Sequence, residues 1–188
     1  VLLRQPLIRS PRTFCHRMKI GSIALLNPLV LAPLAGITHM PFRVLAKEAG
    51  CALVTSEMIS ANGLYYGSEG TREMLVMADA ERPLAVQLFG RDPAVMADAA
   101  ARLEAMGADI IDVNFGCSVK KVVRNGAGAA LMKDLSRAKA VLAAMRAAIR
   151  APLTIKMRTG WDASGRQAGE LARIAEACGV DAVAIHPR

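Results

Sequence analysis

Asp109-Ile110-Ile111-Asp112-Val113-Asn114-Phe115-Gly116-Cys117 reads as a buried β-strand that leaves its sheet through a tight loop. The apolar run from Ile110 to Val113 has strand length, and an Asn and a Gly close it. Beyond it stand a lone thiol, Cys117, then Ser118, then the cations Lys120, Lys121 and Arg124, then the small-residue run Gly126-Ala127-Gly128-Ala129-Ala130. Glycine admits unusual backbone angles and close approach of a ligand. Cations beside a thiol lower its pKa or meet an anionic partner. Cysteine is also often no more than a small buried hydrophobe, so the stretch by itself leaves both readings open.

On either side of it, short β-like runs alternate with helix-like runs. Leu29–Ala32 is a predicted strand ending at Pro33, and Pro41 opens a helix through about Ala49 that Gly50 stops. Ala52–Thr55 is the second strand. Residues 58–81, broken by Gly63, Gly67 and Gly70, make a poor crossover helix and are expected to form loops and short turns. Leu84–Leu88 is the third strand. Asp92-Pro93 then supplies an N-cap and a first-turn proline for a helix that Gly107 ends. In that helix Met96, Ala100 and Leu103 share one face, and Asp98 and Arg102 pair at i,i+4 on another. Ile110–Val113 is the fourth strand, Ser136–Ile149 a helix, Leu153–Met157 the fifth strand, Gln167–Cys178 a helix, and Asp181–Ile185 the sixth strand.

Repeated β–α units of this kind imply a parallel sheet covered by helices. Two closures compete, an open doubly wound sheet and a (β/α)8 barrel. Pro33, Gln87, Asn114, Lys156, Arg158 and His186 all fall at or just past strand ends. Chemistry contributed by many strand ends is the barrel pattern, whereas an open sheet gathers its site at one switch point. No G-x-G-x-x-G follows the first strand. The fold class expected is therefore α/β, a TIM (β/α)8-type barrel, incomplete, with about six of the eight strands present.

The chain has 188 residues, 53% of them hydrophobic and 21% charged, which is enough for one full core and excludes a disordered chain. No apolar run approaches the roughly 20 residues that span a bilayer. Of the 24 Lys and Arg, Arg4, Arg9, Arg12, Arg17 and Lys19 lie in residues 1–20 without a single acid. The net charge of +8 is thus mostly in that leader. Residues 1–18 are expected to be a basic disordered leader, with a targeting peptide or a nucleic-acid arm as the other readings. Cys15, Cys51, Cys117 and Cys178 have neither metal-ligand nor redox spacing. No metal is expected, and a reducing, cytoplasmic setting fits best.

Several residues could carry chemistry. Lys156, in Thr154-Ile155-Lys156-Met157-Arg158, is costly to bury unless it meets an anion, a ligand or a substrate carbonyl. It reads as a Schiff-base lysine, as a cation beside an electron-rich ring, or as a strand-end lysine reaching solvent. Gln87 is an amide in an apolar strand, suited to the edge of a heterocycle or to an internal hydrogen bond. His186 could donate to a cofactor or act as a base. Asn114 is a similar case, and Glu57 a weaker candidate.

Six segments then occur in order: Leu31-Ala32-Pro33-Leu34-Ala35-Gly36-Ile37-Thr38, Thr55-Ser56-Glu57-Met58, Val86-Gln87-Leu88-Phe89-Gly90, Asp112-Val113-Asn114-Phe115-Gly116-Cys117, Lys156-Met157-Arg158-Thr159-Gly160-Trp161 and His186-Pro187-Arg188. Together they resemble the tRNA-dihydrouridine synthases, nearest the bacterial B-type branch, over residues 19–188. The resemblance implies a flavin mononucleotide (FMN) enzyme on a TIM barrel that reduces the C5–C6 bond of uridines in tRNA with NADPH. It implies that Pro33, Leu34 and Ala35 lie along the isoalloxazine, that Gln87 and Lys156 bind its polar edge, and that His186 contacts the flavin further along. Cys117 would be the proton donor, Asn114 and Arg158 would hold the uracil, and Lys120, Lys121 and Arg124 would meet phosphates. The reaction adds hydride at C6 and a proton at C5. A thiol with pKa near 8.5 is mostly protonated at neutral pH and can give that proton. The partner expected is tRNA, with no membrane, no metal, and a monomer for the full-length protein.

The chain departs from the family pattern in three places. Ser118 follows the cysteine where Pro is usual, and replacing it by Pro is expected to leave activity equal or better. Pro187 stands where Gly is common. The chain ends before strands seven and eight, whose loops bind the cofactor phosphate in such barrels, and before the family's C-terminal helical domain. Residues 19–188 are thus expected to be the N-terminal part of a flavin-binding barrel, unable alone to hold FMN tightly. The alternatives are a flavin barrel acting on a small molecule such as dihydroorotate, a Schiff-base aldolase, and a non-catalytic RNA-binding remnant.

Overall fold

Strands β6 (Leu84–Phe89), β7 (Ile110–Phe115) and β8 (Leu153–Arg158) are buried on both faces almost from end to end. Burial of that kind marks the interior of a parallel sheet. The computed structural model describes residues 18–162 and 164–187. The leader expected over 1–18, apart from Met18, lies outside the described residues, as do Cys15 and Arg188.

Six parallel strands run in the order β3 (Val30–Leu31), β4 (Leu53–Thr55), β6, β7, β8 and β9 (Ala182–His186), and the sheet curls into a half-barrel. This is the incomplete TIM-type barrel expected from the sequence. A further short strand, β5 (Ile59–Ser60), pairs with the far end of β6 on the side where β4 pairs with its near end. The second barrel strand is therefore interrupted at residues 56–58. Strands β7, β8 and β9 run on through Phe115, Arg158 and His186. Asn114, Lys156 and Arg158 thus lie within strands rather than past their ends, and Gln87 lies well inside β6. The alternation of the strand, not the strand's end, turns them inward.

The outward residues Val86, Leu88, Ile111, Val113, Ile155 and Met157 form one core with Met96, Ala100, Leu103, Val141, Leu142 and Met145. Those six partners belong to helices α4 (Pro93–Ala105) and α6 (Leu135–Ala148). Both helices start where the sequence provides a cap. Asp92 accepts from the N–H groups of Ala94 at 2.9 Å and Val95 at 3.1 Å, and Asp134 accepts from Arg137 N–H at 2.9 Å. The i,i+4 pair forms, with Arg102 Nε 2.7 Å from Asp98 Oδ2. Helix α7 (Arg166–Ala177) adds buried Leu171 and Ala175 to the same core.

A second, smaller core fills the bottom of the barrel interior. Leu53, Ala85 and Ile110 point inward there and meet Ile20 and Leu25. The last two come from an antiparallel hairpin, β1 (Met18–Ile20) and β2 (Ile23–Leu25), which lies ahead of the first strand expected from the sequence. Its turn needs Gly21, at φ +54°, where a Cβ would sit 2.8 Å from Pro152. The hairpin closes the floor, so the site must open at the other end.

Helix α1 (Met40–Glu48) has Pro41 in its first turn and carries the largest fully buried side chain, Arg43. Its Nε lies 2.5 Å from Glu81 Oε2. Nη1 donates to Thr38 O at 2.7 Å and Nη2 to Val76 O at 3.0 Å, while Glu81 Oε1 accepts from Ala78 N–H at 2.7 Å. The connection 61–81 holds α2 (Ala61–Tyr65), α3 (Glu69–Glu73) and a 3₁₀ turn at Asp79–Glu81, in line with the short turns expected. The ion pair is what ties that connection to α1. A buried pair is strongly destabilised by loss of one member and tolerates apolar replacement of both. Arg43→Met alone and Glu81→Leu alone are therefore each expected to cost about 3–5 kcal/mol, and the double variant clearly less than their sum. Denaturant-unfolding midpoints of the three variants check this.

Candidate active site

The mouth of the half-barrel gathers inward side chains from four neighbouring strands. Gln87 on β6, Asp112 on β7 and Thr154 on β8 are directly opposed partners, and Asn114 and Lys156 oppose each other one layer higher. Arg158 opposes His186 at the rim. Gln87, Asp112, Asn114 and Thr154 are all buried.

Polar groups in such a place must satisfy one another, and these do. Gln87 Nε2 donates to Asp112 Oδ2 at 2.6 Å, and Thr154 Oγ1 donates to Asp112 Oδ1 at 2.5 Å. Asn114 Nδ2 donates to Gln87 Oε1 at 2.8 Å. Asn114 Oδ1 then accepts from the N–H of Gly116 at 3.0 Å and of Cys117 at 2.8 Å. Burial pushes the Asp112 carboxyl above the usual carboxylate range, while the bonds from Gln87 and Thr154 and the charge of Lys156 pull it back. Gln87 keeps one N–H and one lone pair for a ligand, and the ammonium of half-buried Lys156 has no hydrogen bond or ion pair to another described residue. Asn114 has both ends engaged, so its first task is the loop rather than a ligand.

That loop presents Cys117 above the strand ends. Its carbonyl accepts from Ala129 N–H at 2.9 Å. Gly128, at φ +62°, lies so close that a Cβ would sit 2.8 Å from the Cys117 carbonyl oxygen and 2.9 Å from Val122. Lys120, Lys121 and Arg124 are exposed on the short helix α5 (Lys120–Arg124), which leaves the loop directly and anchors through buried Val122. Arg158 reaches back from β8, and its Nη2 donates to Ser118 Oγ at 2.8 Å, while its buried Nε meets no acceptor among the described residues. Proline at 118 would remove that acceptor, which weighs against the expected neutrality of Ser118→Pro.

Pro33, Leu34 and Ala35 follow β3 at the same end of the sheet. They form a closed turn: Leu34 O accepts from the N–H of Ile37 at 3.0 Å and of Thr38 at 2.9 Å, and Thr38 Oγ1 accepts from Leu34 N–H at 3.1 Å. Glu57, at the break in the second strand, accepts from the N–H of Gly36. Glu57, a weaker candidate on sequence alone, clamps this turn from the neighbouring strand. Asp112 is a further functional residue, and its signal is an acid between isoleucine and valine in a buried strand, which demands partners.

Parallel strands, a sealed floor and a ring of inward polar groups at the C-terminal mouth define a barrel enzyme architecture. The dihydrouridine synthase family model matches residues 30–188, and the chain belongs to that family. It is 41% identical over 171 residues to tRNA-dihydrouridine synthase B of Pseudomonas aeruginosa, covering 91% of this chain and 52% of that protein. It is 44% identical over 171 residues to tRNA-dihydrouridine synthase B of Escherichia coli, covering 91% and 53%. The chain thus spans about half the length of the curated relatives it matches. The carboxyl transferase domain of Rhizobium etli pyruvate carboxylase superposes with a TM-score of 0.51 at 21% identity, over 82% of this chain and 26% of that one, a likeness of fold alone.

Gly128→Ala is expected to displace the thiol loop, since the left-handed backbone alone costs about 1–2 kcal/mol and the carbonyl of Cys117 leaves the new methyl no room. The check is the alkylation rate of Cys117 relative to Cys51 and Cys178, resolved by peptide mass spectrometry. A changed rate at Cys117 with the other two unchanged is the expected result.

Proposed function

We propose that this chain is the N-terminal part of a flavin-binding barrel, residues 19–188, in an FMN- and NADPH-dependent tRNA-dihydrouridine synthase. The observation that carries the reading is the thiol of Cys117, braced by Asn114 over a mouth that also holds Gln87, Lys156 and Arg158. The names of the curated relatives support the substrate.

The residues present fit a flavin ring. A heterocycle edge with alternating donors and acceptors needs groups of both kinds, and Gln87 offers both while Lys156 adds a positive charge. The turn Pro33–Ala35, held closed by Thr38 and Glu57, is a backbone surface for one side of the ring, and His186 stands on the rim. When bound, the reduced flavin supplies hydride for C6 of the uracil. Cys117 holds the proton that C5 requires, on a loop whose backbone is fixed at both its N–H and its carbonyl. Lys156 stabilises negative charge at the ring edge. Arg158, aligned by Ser118, is placed to meet a uracil carbonyl, and Asn114 holds the thiol loop against the base. A uridine must leave its stack to reach this depth, and Lys120, Lys121 and Arg124 are placed to meet the flanking phosphates.

No helix among the described residues is long and apolar enough to cross a membrane. The proposed setting is the reducing cytoplasm. The proposed enzyme uses no metal and works as a monomer.

Two measurements test the proposal. With the complete barrel, Cys117→Ala is expected to bind FMN and accept electrons from NADPH as before, while dihydrouridine formation on unmodified tRNA falls about 10²- to 10⁴-fold. Equal losses in flavin reduction and tRNA turnover would reject the proton-donor role. The 188-residue chain alone is expected to purify with little flavin absorbance and to self-associate. Its sheet has edge strands at β3 and β9, and Val183 and Ile185 on β9 are 37% and 54% exposed. A yellow, monomeric preparation with stoichiometric FMN would overturn this.

A further inference from the structure

The carboxylate of Asp112, the amides of Gln87 and Asn114, and the backbone N–H of Cys117 form one continuous chain of hydrogen bonds, and the chain has a direction. Asp112 is its acceptor end. Both Asp112 oxygens are used, at 2.5 Å by Thr154 Oγ1 and at 2.6 Å by Gln87 Nε2. Gln87 must therefore turn its nitrogen toward Asp112 and its oxygen toward Asn114. Asn114 in turn gives its nitrogen to Gln87, at 2.8 Å, and is left with its oxygen facing the loop. That oxygen is what the N–H groups of Gly116 and Cys117 need, at 3.0 and 2.8 Å.

Reversing either amide would set donor against donor or acceptor against acceptor. The site leaves little water to repair such a clash, since Gln87 is 1% exposed, Asp112 6% and Asn114 8%. Direct strand register places Asp112 between Gln87 and Thr154, so the anchor sits on three strands at once. The far end of the chain is equally constrained, because the Cys117 carbonyl is held by Ala129 and crowded by Gly128.

We propose that Asp112 is a positioning residue that orients the amides of Gln87 and Asn114 and, through them, fixes the backbone and thiol of Cys117, two strand layers above it. This rests on the reading of Cys117 as the proton donor, and it adds a reason for an acid in the barrel interior. Asp112 acts on Cys117 only through the two amides. It also decides which atoms Gln87 has left for a ligand, because it takes one amide hydrogen and forces the oxygen toward Asn114.

The test reads the loop and not turnover. Purified protein is alkylated with iodoacetamide, and the rates at Cys117, Cys51 and Cys178 are followed separately by peptide mass spectrometry. Asp112→Leu is expected to change the Cys117 rate by about fivefold or more, the scale of coupling within one hydrogen-bonded network, with Cys51 and Cys178 within about twofold. Asp112→Asn is expected to restore it, because its oxygen can face Gln87 while its nitrogen donates to Thr154 Oγ1. Gln87→Leu cuts the chain one link nearer the thiol, should reproduce the Asp112→Leu effect, and carries the test if Asp112→Leu does not fold. The Gln87→Leu/Asp112→Leu double variant should show no further change. An unmoved Cys117 rate, equal changes at all three thiols, or failure of Asn to rescue would overturn the proposal. If Cys117→Ala keeps full tRNA reduction, the proton-donor reading falls while the alkylation result still decides whether Asp112 holds the loop.

Discussion

Asp112 and its two bonds, one to Gln87 and one to Thr154, show the constraint under which the rest of this molecule is built. A strand in a closed parallel sheet is buried on both faces. The outer face can be plain hydrocarbon, and here it is, against α4 and α6. The inner face must either be packed with hydrocarbon or carry polar groups that satisfy one another. This chain does both, in layers. Leu53, Ala85 and Ile110 close the bottom with the β1–β2 hairpin. Gln87, Asp112 and Thr154 form the polar layer above them, and Asn114, Lys156 and the rim residues follow. A ligand at the mouth therefore meets groups whose orientation is already set by the layer beneath.

The same economy explains the buried ion pair of Arg43 with Glu81. One of the bonds of Arg43 goes to the carbonyl of Thr38. Thr38 closes the Pro33–Ala35 turn through its hydroxyl. The stability of the α1 connection and the shape of the turn thus share a residue. Glu57 adds a third point by reaching Gly36 from the break between β4 and β5. That break frees Glu57 from the strand's alternation, which a regular strand from Leu53 to Ser60 would not have done.

The order of strands and helices was legible because each boundary has a local cause. Asp92-Pro93, Pro41, Gly50 and Gly107 act within one turn of the chain, and the β–α repeat follows from hydrophobic period alone. The polar strand residues were legible as anomalies, since Gln87 and Lys156 interrupt apolar runs. Their partners were not legible. Asp112 meets Gln87 across 25 residues, Thr154 meets Asp112 across 42, and Arg158 meets Ser118 across 40. Such pairings depend on strand register, which no local signal in this sequence sets. The hairpin over residues 18–25 was missed for a different reason. Its strands are three residues each, too short to show a period, and only Ile20-Gly21-Ser22-Ile23 marks a turn between apolar residues.

Residue type at 117 is only part of what a proton donor needs; placement matters to a fraction of an ångström. In this chain the placement comes from three directions. Asn114 holds the Cys117 N–H from inside the barrel, Ala129 holds its carbonyl from the following 3₁₀ turn (Gly128–Lys133), and Arg158 ties Ser118 to β8. Helix α5 is part of the same unit, because Ala127 N–H bonds back to Val122 O and Val122 packs beside Gly128. The thiol and the cations Lys120, Lys121 and Arg124 therefore move together or not at all. On the proposed reading, an RNA backbone held by those cations is held at a fixed offset from the thiol. Phosphate binding and proton delivery then become one geometric event, and the loop's rigidity, set from Asp112 upward, is what couples them.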